Sequence, residues 1–333
     1  MRIVFYETKK WEEEYLKEKL PAFDLVFNEG FEISPDDKAE VLCNFVDSPV
    51  AQEQLKNLPK LKFIATRSTG FDHIDLKACQ KKGVQVSNVP AYGENTVAEF
   101  TFALLLALSR KIYSSLERVK EKDQFDYEGL QGFDLKGKTL GVVGTGHIGA
   151  FVVKIAFGFG MNIVAFDPHP KQDLIDQFHV RYMDLENLLK TADIVTLHVP
   201  YTPATHHLLN AQNIGQMKKG SILINTARGG LVETQALAKA LKEGHLAGAA
   251  MDVLEEEGFI KDELKMLTEG HPNQEQLRTA LIDHELIHME NVLITPHNAF
   301  NTKEALVRIL DTTVANIEAF VKGQPINLAQ NNN

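Results

Sequence analysis

The sequence predicts an α/β protein built from two doubly wound parallel-sheet domains. Three observations carry that expectation. Short apolar runs alternate with amphipathic ones through the first hundred residues. The alternation stops across a long helical pattern and a loop rich in Gly, Asp and Phe, then restarts. The second series opens on a glycine-rich turn set between an apolar run and a helical one, and strand–helix alternation of this kind belongs to parallel sheets with helices on their faces. At 333 residues the chain is long enough for two domains.

In the first series, residues 3–6, 24–27, 41–45, 63–66 and 84–87 read as strands, with helical patterns around 11–20 and 74–81. A single long helix is expected over about 96–119, followed by a loop at 125–138. In the second series, 139–143, 162–166, 194–197, 221–225, 247–250 and 292–295 read as strands. A helix over 148–159 puts Ile148, Val152, Ile155 and Phe159 on one face. The last helix spans about 303–321, and the polar stretch 259–290 reads as an insertion of helical character.

Composition excludes several function classes. With 35 basic against 45 acidic residues the net charge is −10, which disfavours nucleic acid as a partner. Hydrophobic residues at 44% and charged residues at 24% are globular values. The opening Met1-Arg2-Ile3-Val4-Phe5-Tyr6 soon meets charge and reads as a first strand, not a signal peptide. No apolar stretch is long enough to span a bilayer, so no membrane partner is expected. Cys43 and Cys79 form no C-x-x-C pair and read as reduced, buried thiols; the expected location is the cytoplasm.

Gly144, Gly146 and Gly149 form G-x-G-x-x-G. The first permits a tight strand-to-helix turn, the second lets backbone approach a pyrophosphate at the helix N-terminus, and the third lets helix and strand pack closely. The next strand ends in Asp167, 18 residues past Gly149, where a carboxylate would meet the adenosine ribose of NAD. Asn225-Thr226-Ala227-Arg228-Gly229 also ends a strand, and an arginine there can clamp a carboxylate through two parallel N–H···O bonds. Thr295-Pro296-His297 follows another strand, and Asp252-Val253-Leu254-Glu255-Glu256-Glu257 follows a third. Together these supply what hydride transfer to a ketone needs: a carboxylate clamp, a proton donor and a carboxylate to orient the donor. Taken alone, the glutamate run reads as a solvated turn. His284-Glu285-Leu286-Ile287-His288 matches the H-E-x-x-H zinc signature but lies in the polar insertion, so no metal is expected.

These stretches, with Arg67-Ser68-Thr69-Gly70-Phe71-Asp72-His73-Ile74-Asp75, Asn88-Val89-Pro90-Ala91-Tyr92, Val97-Ala98-Glu99 and Leu197-His198-Val199-Pro200, occur in an order that resembles the D-specific 2-hydroxyacid dehydrogenase family over almost the whole chain. Glu128-Gly129-Leu130-Gln131-Gly132-Phe133, Phe166-Asp167-Pro168 and His297-Asn298-Ala299-Phe300 make it most similar to the family's fermentative D-lactate dehydrogenases.

The resemblance implies a flavodoxin-like substrate domain, 1–98 plus 299–333, and an inserted Rossmann NAD-binding domain, 99–298, with a cleft between them. It implies catalytic Arg228, Glu257 and His297. The family pattern Asp-Val-x-Glu-x-Glu selects the last glutamate, and because Glu256 also stands in the run it remains the alternative by one register. Cofactor contacts would fall on His147, Ile148, Asp167, Val199, Pro200, Thr205, Thr226, Ala227, Arg228 and Asp252, beside the three glycines. The substrate carboxylate would meet Thr69 and Gly70, with Arg228 and His297, and Tyr92 and Phe300 would wall the pocket. Asn301 departs from members with a second bulky residue there, which leaves a larger 2-keto acid open beside pyruvate. The family also implies a homodimer or higher oligomer. Some relatives are NAD-responsive corepressors; the lack of an appended basic or disordered segment favours an enzyme acting on a small 2-keto or 2-hydroxy acid.

Overall fold

The computed structural model describes residues 1–255, 257 and 273–329. The chain forms two compact units, Met1–Tyr92 with Asn301–Asn333, and Gly93–Phe300. The boundaries expected from the family resemblance are 98/99 and 298/299. The helix that begins at Glu94 belongs whole to the second unit, so the first boundary lies before it.

The first unit has strands β1 (Arg2–Phe5), β2 (Asp24–Phe27), β3 (Ala39–Cys43), β4 (Phe63–Ala65) and β5 (Gln85–Ser87), and helices α1 (Lys10–Lys19), α2 (Gln52–Asn57) and α3 (Leu76–Lys82). The strands are parallel in the order β2-β1-β3-β4-β5, the flavodoxin-like arrangement. Both faces are buried because successive side chains alternate sides. Ile3, Phe5, Val41, Cys43, Phe63 and Ala65 pack with the C-terminal helix Lys303–Val321, while Val4, Ala39, Leu42 and Ile64 pack on the opposite side.

The second unit begins with α4 (Glu94–Ser109) and α5 (Ile112–Glu121). Its strands are β6 (Thr139–Val143), β7 (Asn162–Phe166), β8 (Arg181–Tyr182), β9 (Ile194–Leu197), β10 (Ser221–Asn225), β11 (Leu246–Met251) and β12 (Val292–Ile294). Between them lie α6 (His147–Gly158), α7 (Gln172–Phe178), α8 (Leu185–Thr191), α9 (Thr234–Lys242) and α10 (Gln274–Ile287). The order β12-β11-β10-β9-β6-β7-β8 is parallel throughout, and the winding reverses between β6 and β9. In an open α/β sheet that reversal opens a crevice outside the strand carboxyl ends.

The expected long helix over 96–119 is two helices. The carbonyl of Ser109, which a continuing helix would give to Tyr113, instead accepts from Phe133 N–H at 3.0 Å. Gly132 permits that approach, since a Cβ there would collide with the same carbonyl. Lys111 then takes a left-handed conformation, φ +50°, and α5 starts in a new direction. Strand β8 leaves no pattern in the sequence, because two residues carry no period. Within the polar insertion, residues 273–290 contain α10; residues 259–272 lie outside the described residues. Both cysteines are free and buried, and burial pushes the Cys79 thiol up to about 11. Among the described residues, no helix is long and apolar enough to cross a membrane.

Candidate active site

The site is built at the carboxyl ends of β6, β7, β9, β10, β11 and β12 in the second unit. The three glycines of the β6–α6 turn are there for three different reasons. Gly144 has φ +93°, and a Cβ would press on the His198 backbone and Val199 at 2.8 Å. A Cβ on Gly149 would overlap the carbonyl of Gly144. A Cβ on Gly146 would meet nothing within 4 Å, so the backbone at the first turn of α6 faces open space. An exposed helix N-terminus with an uncrowded amide run fits a pyrophosphate. His147, the first helical residue, has a side chain 80% exposed and 3.7 Å from Glu94, while Ile148 packs on the core beneath.

Asp167 stands where β7 ends. Its Oδ2 accepts from Thr145 N–H at 2.7 Å and Thr145 Oγ1 at 3.1 Å, and its Oδ1 accepts from His169 N–H at 2.8 Å. Burial opposes the charge, but these hydrogen bonds outweigh it and hold the carboxyl below its ordinary range. The carboxylate is therefore ionised and tied to Thr145 in the β6–α6 turn.

Beyond β9, Val199 packs against the Gly144 turn, and Thr205 closes the turn 200–205 by donating to Pro200 O at 2.7 Å and accepting from Thr202 N–H at 2.8 Å. Beyond β10, fully buried Asn225 pins the arginine's turn: it donates to Arg228 O at 2.8 Å and accepts from Ala227 N–H at 3.0 Å. Arg228 Nη1 donates to Ala227 O at 2.8 Å, and the Thr226 hydroxyl pairs with that of Thr101 at 2.9 Å. Asn225 lies inside the motif read from sequence, yet its bracing role depends on a loop conformation that the motif does not reveal.

His297 sits just past β12 in a left-handed conformation, φ +52°. Its N–H donates to Asp252 O at 2.8 Å, and its Nδ1 lies 3.1 Å from Glu257 Oε1. The Phe300 ring meets the imidazole edge-on, with centroids 6.4 Å apart. With Nδ1 turned to the carboxylate, Nε2 is the nitrogen left to face a reacting group. Asp252 is completely buried and organises this loop. It accepts from Asn298 N–H and Ala299 N–H, both at 2.8 Å, and from the Thr295 hydroxyl. Burial raises its pKa against the lowering effect of those donors and of His297. The sequence reading gave Asp252 to the cofactor and the site geometry; its side-chain bonds are to the His297 loop.

The glutamate run is not a solvated turn at Glu255. That side chain is half-buried, 2.5 Å from His207 Nε2, and accepts from Thr234 Oγ1 at 2.9 Å. Glu256 lies outside the described residues. No sequence signal joins His207 to a residue 48 positions away; only the fold does. In the H-E-x-x-H stretch, His288 Nδ1 donates to His284 O at 2.7 Å and Glu285 pairs with Lys242 at 2.6 Å.

The remaining candidates lie in the first unit, on the loops after β4 and β5. Thr69 Oγ1 donates to Val89 O at 2.7 Å, Asn88 Nδ2 donates to Thr69 O at 2.7 Å, and Ser68 Oγ donates to Gly70 O at 2.6 Å. The Tyr92 carbonyl accepts from Arg308 Nε. These bonds fix the 68–70 backbone, with the Gly70 and Tyr92 carbonyls held by side chains.

Comparison with known proteins agrees with a dinucleotide site. Residues 102–299 match the family model of the D-isomer specific 2-hydroxyacid dehydrogenase NAD binding domain. The D-lactate dehydrogenase of Escherichia coli is 36% identical, covering 97% of this chain and 98% of its own. The glyoxylate reductase of Thermococcus litoralis is also 36% identical, covering 97% and 90%. The crystal structure of D-lactate dehydrogenase from Aquifex aeolicus, complexed with NAD and lactic acid, superposes with a TM-score of 0.85 at 39% identity, covering 97% of this chain and 96% of that one.

Proposed function

Because the chain belongs to the D-isomer specific 2-hydroxyacid dehydrogenase family, NAD-dependent oxidoreductases that act on CH–OH groups, we propose that its own reaction is the reversible reduction of pyruvate to D-lactate. The observation that carries this reading is the His297–Glu257 pair at 3.1 Å, a proton donor with its orienting carboxylate. Support for the substrate comes from the likeness to D-lactate dehydrogenases, one of them complexed with lactic acid.

When bound, NADH would supply the hydride that reduces the keto carbon. Arg228 holds the substrate carboxylate and polarises the carbonyl. His297 delivers the Nε2 proton to the carbonyl oxygen as negative charge develops there, and Glu257 stabilises the charged imidazole through Nδ1. Phe300, edge-on to the His297 ring, limits the size of the group beyond the carbonyl.

A screen of pyruvate, glyoxylate and longer 2-keto acids with NADH, coupled to chiral analysis of the product, tests the assignment. Pyruvate should give the highest kcat/KM and a D product. A higher value for glyoxylate, the substrate class of an equally similar relative, or for a longer chain would replace the substrate and keep the chemistry. No turnover of any keto acid would leave a binding protein of the same fold.

The cofactor carries its own test. Ionised Asp167 should accept hydrogen bonds from ribose hydroxyls and repel a 2′-phosphate. NADH should outperform NADPH strongly, and Asp167→Ala should narrow the gap mainly by weakening NADH. Equal use of both cofactors by the wild type would remove Asp167 from the ribose.

A further inference from the structure

We propose that the His207–Glu255 pair is a positioning clamp that holds Glu257 against His297 and fixes the turn of Arg228. The proposal rests on the reading of His297 and Glu257 as the proton-delivery pair. Glu255 stands two residues before Glu257 on the loop after β11. Its Oε1 lies 2.5 Å from His207 Nε2, and its Oε2 accepts from Thr234 N–H at 3.2 Å and Thr234 Oγ1 at 2.9 Å. Thr234 opens α9, so the carboxylate also satisfies a helix-start amide where the helix dipole favours negative charge.

Each partner is itself fixed. His207 has φ +48°, donates its N–H to Gly230 O at 2.8 Å and accepts at its carbonyl from Asn210 Nδ2 at 2.8 Å. Its ring stacks on His206 at 3.8 Å, and His206 Nδ1 lies 3.0 Å from Tyr201 OH. Backbone packing completes the tie. A Cβ on Gly229, next to Arg228, would overlap the Leu254 carbonyl and crowd Glu255 N. The loops after β9, β10 and β11 are thus joined at one point, and two of them carry Arg228 and Glu257.

An exposed ion pair contributes little. The His207–Glu255 contact is 29% and 17% exposed, and both members are tied to backbone through further bonds. Its consequence is geometric. The Glu257–His297 bond is 3.1 Å, near the upper end of the useful range, so a shift of about 1 Å in Glu257 takes it out of hydrogen-bond reach. Among the described residues, His297 is faced by Glu257, the buried Asp252 carboxylate and the Phe300 ring, and His207 by Glu255 and His206, with Tyr201 behind.

The test uses the full chain with His207→Gln, Glu255→Gln, Glu257→Gln and the Glu255→Gln/Glu257→Gln double variant. The readouts are Tm, NADH binding, and the pH dependence of kcat and kcat/KM for pyruvate. Each clamp variant should lower kcat by about tenfold to a hundredfold with NADH binding unchanged. Its reduction limb should move to lower pH, in the direction of Glu257→Gln. In the double variant the Glu255 change should add no further movement. Should Glu255→Gln not fold, His207→Gln, which leaves Glu255 and its Thr234 bonds in place, makes the same comparison. Clamp variants that lose Tm but keep the wild-type limb and kcat would reduce the pair to a structural bond and overturn the proposal, as would movements that add in the double. An unmoved limb in Glu257→Gln would instead overturn the proton-delivery reading, and the clamp with it.

Discussion

Arg228→Lys is expected to lower kcat/KM for pyruvate by about a hundredfold to a thousandfold and leave NADH binding nearly intact. Lysine keeps the charge and loses the planar fork. A guanidinium meets a carboxylate through two parallel N–H···O bonds, each charge-assisted bond contributing roughly 1.5–3 kcal/mol. The turn is already set by Asn225, which bonds Arg228 O and Ala227 N–H, and Nη1 is tied to Ala227 O at 2.8 Å. An ammonium on a flexible stem reproduces neither the tie nor the second parallel bond. A pyrophosphate bound at the 144–149 turn would meet backbone that the substitution does not touch. Pyruvate kinetics at saturating NADH and an NADH fluorescence titration separate the two effects. A lysine variant with near-wild-type kcat/KM would take Arg228 out of the site.

The clearest elements in the sequence were the buried parallel strands. The runs at 139–143, 162–166, 194–197 and 221–225 coincide with β6, β7, β9 and β10, all inside the seven-stranded sheet. Strands covered on both faces are continuous apolar runs with sharp polar ends, so their bounds are visible without tertiary information. The break after Ser109 was not, because nothing in 96–119 ends a helix. The stop comes from Phe133, which reaches Ser109 O across a glycine far along the chain.

The same division runs through the site. The glycines, Asp167, Arg228 and His297 stand next to strand ends in motifs with a mechanical reason for each residue. Their supports do not. Asp252 reads as a strand-end carboxylate, but its three acceptor bonds depend on where β12 places residues 295–299. Glu255 was hidden by its neighbours, since three consecutive glutamates look like a solvated turn until His207 and Thr234 are brought against one of them.

That run makes the identity of the charge partner the sharpest remaining test. In the proposed reaction, reduction requires His297 protonated, and oxidation of D-lactate requires it neutral. A carboxylate oxygen lies 3.1 Å from Nδ1, where it accepts from an N–H of the imidazole. Reduction should therefore be fast at low pH and fall as pH rises, with oxidation showing the opposite limb. Glu257→Gln keeps the size and removes the charge. The imidazolium then persists only to a lower pH, so both limbs move down and kcat/KM for reduction at neutral pH falls by about tenfold to a hundredfold. His297→Ala removes the donor itself, costing about 10²- to 10⁴-fold, and the limb should vanish with it. Glu256→Gln should leave both limbs in place. Glu255→Gln should move them only while Glu257 is present, because it acts through that residue. A full movement in Glu256→Gln with none in Glu257→Gln would shift the charge partner by one residue. Unmoved limbs in all three glutamine variants would mean that no carboxylate of this loop sets the charge state of His297.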